Sequence, residues 1–201
     1  MFRRASVLAL TFIVCVVGAA QAQNAPPVRI RGQIAAIDDT SMTIATREGP
    51  KVTLKLADNL GVNAVVRAKL SAVKPGTFIG TAAEAAPDGS LRALEVLIFP
   101  EALRGSGEGH YDWDLKPGST MTNATVTAVV KGKSGRNLEL SYKDGTATVT
   151  VPPKTPIVTF VPGMRADLKK GQKVFVVANK GADGQLTALR VNYGKGVAPP
   201  M

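Results

Sequence analysis

Residues 74–96 of this 201-residue chain return, without a gap, at 169–191. Nine of the 23 aligned positions are identical: Lys74, Gly76, Ala83, Asp88, Gly89, Leu91, Ala93, Leu94 and Val96. Each copy reads as a turn (Lys74-Pro75-Gly76, then Lys169-Lys170-Gly171), a strand-like run, a second turn and another run. The second turn is Pro87-Asp88-Gly89 in one copy and Ala182-Asp183-Gly184 in the other. Asp and Gly suit the tight turn of a hairpin, because Asp bonds its own backbone and Gly tolerates positive φ. A chain made of two copies of a small strand-rich unit has few ways to fold, and all of them are β.

The rest of each copy agrees. Val52-Thr53-Leu54-Lys55-Leu56 alternates apolar with polar residues, the period of a half-buried strand, and Val149 and Val151 repeat that alternation 95 positions on. Val28–Ile37, Met42–Thr46 and Val62–Ala68 read as further strands of the first copy. Ala124–Val130, Leu138–Tyr142, Ala147–Val151 and Ile157–Val161 read as strands of the second. Short helical turns fit at Leu70–Lys74 and Ala166–Lys169. Five or six short strands in about 75 residues favour a small barrel, since closure removes exposed edges. The expected fold is all-β: two tandem OB-like barrels, with an SH3-like barrel or one fused sandwich as alternatives. The expected boundaries are a first module at 28–100, a Gly-rich acidic connector at 101–122, a second module at 123–196 and a tail at 197–201.

The first 22 residues read as a secretory signal. Arg3 and Arg4 precede an apolar stretch from Ala5 to Ala19, and Ala20-Gln21-Ala22 offers a small-x-small cleavage site. That stretch is shorter than the roughly 20 residues a membrane-spanning helix needs. The expected location is therefore the periplasm, with no transmembrane segment in the mature chain. Cleavage would remove Cys15, the only cysteine, so the mature fold would have neither disulfide nor thiol nucleophile. The formal charge of the whole chain is +10, and residues 121–201 carry twelve Lys and Arg against four Asp and Glu. Such asymmetry biases a surface toward anionic partners.

The signal, the two barrel-like copies, Gly107-Glu108-Gly109-His110 with Trp113, and the ending Gly196-Val197-Ala198-Pro199-Pro200-Met201 resemble a family of uncharacterised exported proteobacterial proteins. These form a domain-of-unknown-function group of small OB-like β domains. The resemblance covers nearly the whole chain and implies a fold and an export route without a mechanism. Some of its members carry the label of metal-transporter permease, which one signal-like apolar stretch does not support.

Two clusters are candidate sites. Glu108, His110, Asp112 and Asp114 alternate in the connector, so an extended backbone would point all four one way. One imidazole with three carboxylates suits a divalent metal such as zinc, manganese or nickel. The dull reading is that Trp113 and Tyr111 pin the connector while the acids face water. Arg165, Lys169, Lys170 and Lys173, with Lys180 beyond, surround one turn of the second copy. The first copy has only Lys74 near the equivalent turn. This cluster is the candidate contact for an anionic envelope partner.

Other chemistry lacks its parts. Lys116 and Pro117 break an EF-hand reading of Asp112 and Asp114. Gly105-Ser106-Gly107-Glu108-Gly109 opens no helix and places an acid where phosphate would sit. Ser106 has no nucleophile elbow, and Asp38-Asp39 read as turn residues. Nucleic acid is not expected, because few aromatics stand free to stack bases. The expected function is a non-catalytic periplasmic binding or adaptor protein, with low-affinity divalent-metal handling as the alternative and no cofactor.

Overall fold

The computed structural model describes residues 26–132, 135–197 and 199. The expected signal, 1–22, lies outside them. Twelve strands run in chain order: β1 (Val28–Ile37), β2 (Ser41–Thr46), β3 (Lys51–Arg67), β4 (Phe78–Ala85), β5 (Leu91–Ile98), β6 (Gly109–Asp112), β7 (Ser119–Gly132), β8 (Gly135–Tyr142), β9 (Gly145–Val151), β10 (Ile157–Pro162), β11 (Lys173–Lys180) and β12 (Leu186–Gly194). Three single 3-10 turns sit at Leu70–Ala72, Glu101–Leu103 and Arg165–Asp167. No helix among the described residues is long and apolar enough to cross a membrane.

Local chemistry sets the turns as expected. Asp38 Oδ1 accepts from the backbone N–H groups of Thr40 and Ser41 at 2.8 and 2.7 Å, closing the β1–β2 turn. These bonds and the two hydroxyls stabilise the ionised carboxylate and hold its pKa down at about 2. In the β4–β5 turn Asp88 accepts from the N–H of Ser90 while Gly89 takes φ +78°. Gly184 repeats that conformation at φ +80° in the β11–β12 turn.

The barrels close differently from the expected tandem layout. β1, β2 and β3 form an antiparallel meander, and the ring is completed by β11 and β12, with β12 parallel to β3. The other ring runs β7–β8–β9 and is completed by β4 and β5, with β5 parallel to β9. Each ring has the OB-like order, a meander plus a hairpin whose second strand lies parallel to the third. Neither 28–100 nor 123–196 makes a barrel by itself. Each copy lends its last hairpin to the other copy's meander.

The cause is visible in β3. The sequence suggested two strands, 52–56 and 62–68, yet β3 continues unbroken for 17 residues and leaves its own barrel. Its counterpart in the second copy is cut into β9 and β10 by Pro152, Pro153 and Pro156, since proline cannot donate to a ladder. The last five residues of β3, Asn63 to Arg67, pair antiparallel with β10, and Val65 lies opposite Phe160. Phe160 is the residue 95 positions on, the repeat counterpart of Val65 itself. A pseudo-twofold axis therefore passes through this pair. β12, β3, β10 and β5 form one continuous sheet across it, and past the axis each chain segment enters the opposite barrel. Exchange of an identical element between two equivalent units is domain swapping, here contained in one chain.

The cores record the exchange. One packs Ile30, Ile34, Met42, Ile44 and Leu54 against Val174, Val176, Val191 and Tyr193. The other packs Ile79, Ala93 and Val96 against Val126, Leu138, Leu140, Val149 and Val151. Val65, Leu97, Val158 and Phe160 form a smaller cluster at the axis.

Candidate binding cleft between the barrels

The outer face of the sheet at the axis is not bare. β1, β11 and β12 place Arg31, Phe175 and Asn192 side by side, and Asn63 of β3 donates through Nδ2 to Asn192 Oδ1 at 3.0 Å. Across the axis, β5, β4 and β7 place Leu97, Gly80 and Asn123 in the matching row. Phe175 and Gly80 are repeat counterparts, so the floor is asymmetric. At Gly80 an added Cβ would lie 2.5 Å from Asn123 Oδ1 and 3.0 Å from the Phe99 ring, so any side chain there must displace one or both.

The connector forms the wall. β6 pairs with β7, and Asn123 Nδ2 donates to the carbonyls of Ser106 and Gly107 at 3.1 Å. Trp113 then crosses to the other barrel. Its ring lies 6.4 Å from Phe175 and 6.0 Å from Tyr111, with the Arg29 guanidinium 4.2 Å from its centroid. Arg31 lies over Phe175 at 4.8 Å and donates from Nη2 to Asp114 Oδ1 at 2.9 Å. Burial pushes the Asp114 carboxyl up, but the Arg31 hydrogen bond and charge, with Arg29 beyond, hold it below the ordinary range. Burial also raises the Tyr111 hydroxyl, against the opposing charge of Arg29.

Between floor and wall lies a cleft of about 520 Å³, lined by Phe99, Tyr111, Trp113, Met121, Phe160, Phe175 and Val177 together with Arg29, Arg190, Asn123 and Asn192. Its apolar surface with a few convergent polar groups is the usual composition of a small-molecule site. Two buried polar atoms of lining residues, Trp113 Nε1 and Asn123 Oδ1, have no hydrogen-bond partner among the described residues.

The residues named from sequence fare unevenly. Glu108, His110, Asp112 and Asp114 do not assemble: no three His, Cys, Asp or Glu among the described residues are placed to hold a metal. The expected alternation exists, with His110, Asp112 and Asp114 on the exposed side of the connector, but neighbours claim the ends of the row. Asp114 is paired with Arg31, and His110 Nδ1 shares a 2.8 Å hydrogen bond with Thr122 Oγ1 while its ring stacks on Tyr142. Trp113 and Tyr111 pin the connector, with the acids outward.

The basic cluster is divided too. Arg165 donates to the backbone carbonyls of Asp39 and Ala57 at 2.8 and 2.7 Å, tying its 3-10 turn to the first barrel. Lys169, Lys170 and Lys173 are exposed at one end of β11, and Lys180 stands at the opposite end, seven residues along the strand from Lys173. These lysines also belong to the barrel completed by β1–β3, not to one built by the second copy alone.

Arg29, Arg190, Asn123 and Asn192 escaped the sequence reading, in which Phe160 and Phe175 counted only among the few aromatics set aside as base-stacking platforms. One signal existed. Val174-Phe175-Val176-Val177-Ala178 is apolar at every position, which marks a strand covered on both faces. Comparisons with protein-family models, with curated proteins and with solved structures return no match, so nothing outside the chain bears on the cleft.

Proposed function

We propose that the chain is an exported, non-catalytic binding protein whose site is the cleft at the pseudo-twofold axis, taking a small ligand with a planar apolar body. The observation that carries this reading is the aromatic lining of a 520 Å³ space held open between two rigid barrels. Aromatic faces bind planar groups by offset stacking and area burial, and a site built on strands is better preorganised than one on loops. The polar groups around it are guanidiniums, carboxamides, the Ser106 hydroxyl, the Tyr111 phenol and the Trp113 indole N–H, with no carboxylate or imidazole among them; such groups hold a ligand rather than exchange protons with it near neutral pH. His110, the one imidazole, points to Thr122 and Tyr142 and is not part of the lining. The signal-like start and the resemblance to exported OB-like proteins suit the same role.

The test uses N-phenyl-1-naphthylamine, an uncharged aryl amine whose fluorescence rises in apolar sites. Val177 is half-buried at the floor of the cleft, so Val177→Phe pushes a ring up into the space between Arg29 and Arg190 without entering either core. The expected result is saturable binding to the wild type, with energy transfer from Trp113, and loss of both in Val177→Phe. Equal binding to the variant would end the proposal.

A further inference from the structure

We infer that the ligand of this cleft is an organic anion, and that Arg29 and Arg190 clamp its acidic group. The inference rests on the reading of the cleft as a binding site and adds the charge of what it binds. Arg29, Val177 and Arg190 are direct cross-strand neighbours on β1, β11 and β12. With strands about 4.8 Å apart, the two arginine Cα atoms stand about 10 Å from each other on one face, with Val177 between them. Both side chains line the cleft, and no Asp or Glu lines it. Neither guanidinium makes an ion pair among the described residues.

The contrast with Arg31 shows that this is a choice of the fold. Arg31 stands two residues along β1 on the same outer face, and there the connector brings in Asp114 to neutralise it. Arg29 makes no close ion pair of its own: it feels Asp114 only from beyond Arg31 and is stacked on Trp113. Stacking occupies the face of a guanidinium and leaves its N–H edge free to donate in the plane. Two like charges facing one small space repel each other. An oxyanion between them removes that repulsion and accepts charge-assisted hydrogen bonds from both. Carboxylate, sulfonate and phosphate monoester share the required geometry. Trp113, beside the clamp, then receives the planar body.

The experiment compares 8-anilinonaphthalene-1-sulfonate with N-phenyl-1-naphthylamine, the same aromatic skeleton without the sulfonate. Binding to native protein is followed by energy transfer from Trp113, the only tryptophan. Arg190 is exposed and Arg29 lies at the surface, so Arg190→Gln and the double variant with Arg29→Gln are expected to fold, which circular dichroism checks. The expected result is that Arg190→Gln weakens sulfonate binding about tenfold more than it weakens binding of the uncharged probe, and that the double variant widens this gap. Equal sulfonate affinity in wild type and double variant overturns the clamp and leaves the cleft reading intact. Loss of both probes in parallel also overturns it, since the arginines would then be shaping the cleft rather than reading charge. Failure of both probes on the wild type overturns the clamp and the binding site together.

Discussion

Val191 of β12 and Val96 of β5 are repeat counterparts, 95 residues apart, and both are fully buried. Val191 belongs to the core lined by β1–β3, and Val96 to the core lined by β7–β9. Truncating either to alanine removes two methyl groups. At about 0.8 kcal/mol per buried carbon plus a term for the cavity left behind, the cost is about 2 kcal/mol. Every 1.4 kcal/mol is a factor of ten in an equilibrium, so local opening of the affected barrel rises about 30-fold. Native-state hydrogen exchange in low denaturant reads that opening amide by amide. Val191→Ala, in the second copy, is expected to accelerate exchange of β1, β2 and β3 in the first copy and to spare β7–β9. Val96→Ala, in the first copy, is expected to accelerate β7, β8 and β9 and to spare β1–β3. A tandem arrangement requires the opposite pattern for both variants, and observing it would refute the exchanged hairpins.

Three further outcomes follow from single sites. The Asp38 carboxyl is depressed to about 2 by its turn hydrogen bonds, so its stabilising effect is complete above about pH 4 and fades as pH falls toward the folded value. The stability difference between wild type and Asp38→Ala, measured by urea denaturation, should shrink between pH 4 and pH 2, and a constant gap would contradict the assignment. Asp114→Ala strands an Arg31 side chain that is 12% exposed, but Asp114 itself is 48% exposed, so the expected loss is only about 1 kcal/mol. Trp113 emission should shift to the red as the connector loosens. Gly80→Ala forces a methyl against Asn123 and Phe99, with an expected cost of about 1–3 kcal/mol by chemical denaturation; full wild-type stability would show that the floor is loosely packed.

The sequence reading was accurate where the cause is local. Asp38, Asp88 and Asp183 lie in turns, Gly89 and Gly184 take positive φ, and the alternation around Leu54 and Val149 marks half-buried strands. The short turns at 70–72 and 165–167 were legible for the same reason. The candidate sites were less so. Alternation did put His110, Asp112 and Asp114 on one side, yet strand period says nothing of what stands opposite: Thr122 comes from the next strand, and Arg31 lies 83 residues from Asp114. Arg165 read as a surface charge because its acceptors, the carbonyls of Asp39 and Ala57, are more than 100 residues distant.

Taken alone, the sequence determined that the chain beyond its signal-like start is β and that it contains one strand unit twice, because propensity, period and turn chemistry act over a few residues. Only the tertiary structure decided which hairpin completes which barrel. The two hairpins present apolar side chains at equivalent inward positions, Ile79, Ala93 and Val96 in one and Val174, Ala188 and Val191 in the other, so the hydrophobic pattern cannot distinguish the pairings. The choice falls to the path of β3, which runs past its own barrel to pair with β10 at the axis. The cleft follows from that choice, since Phe175, Asn192, Leu97 and Asn123 share one face only when both barrels are joined by the same sheet.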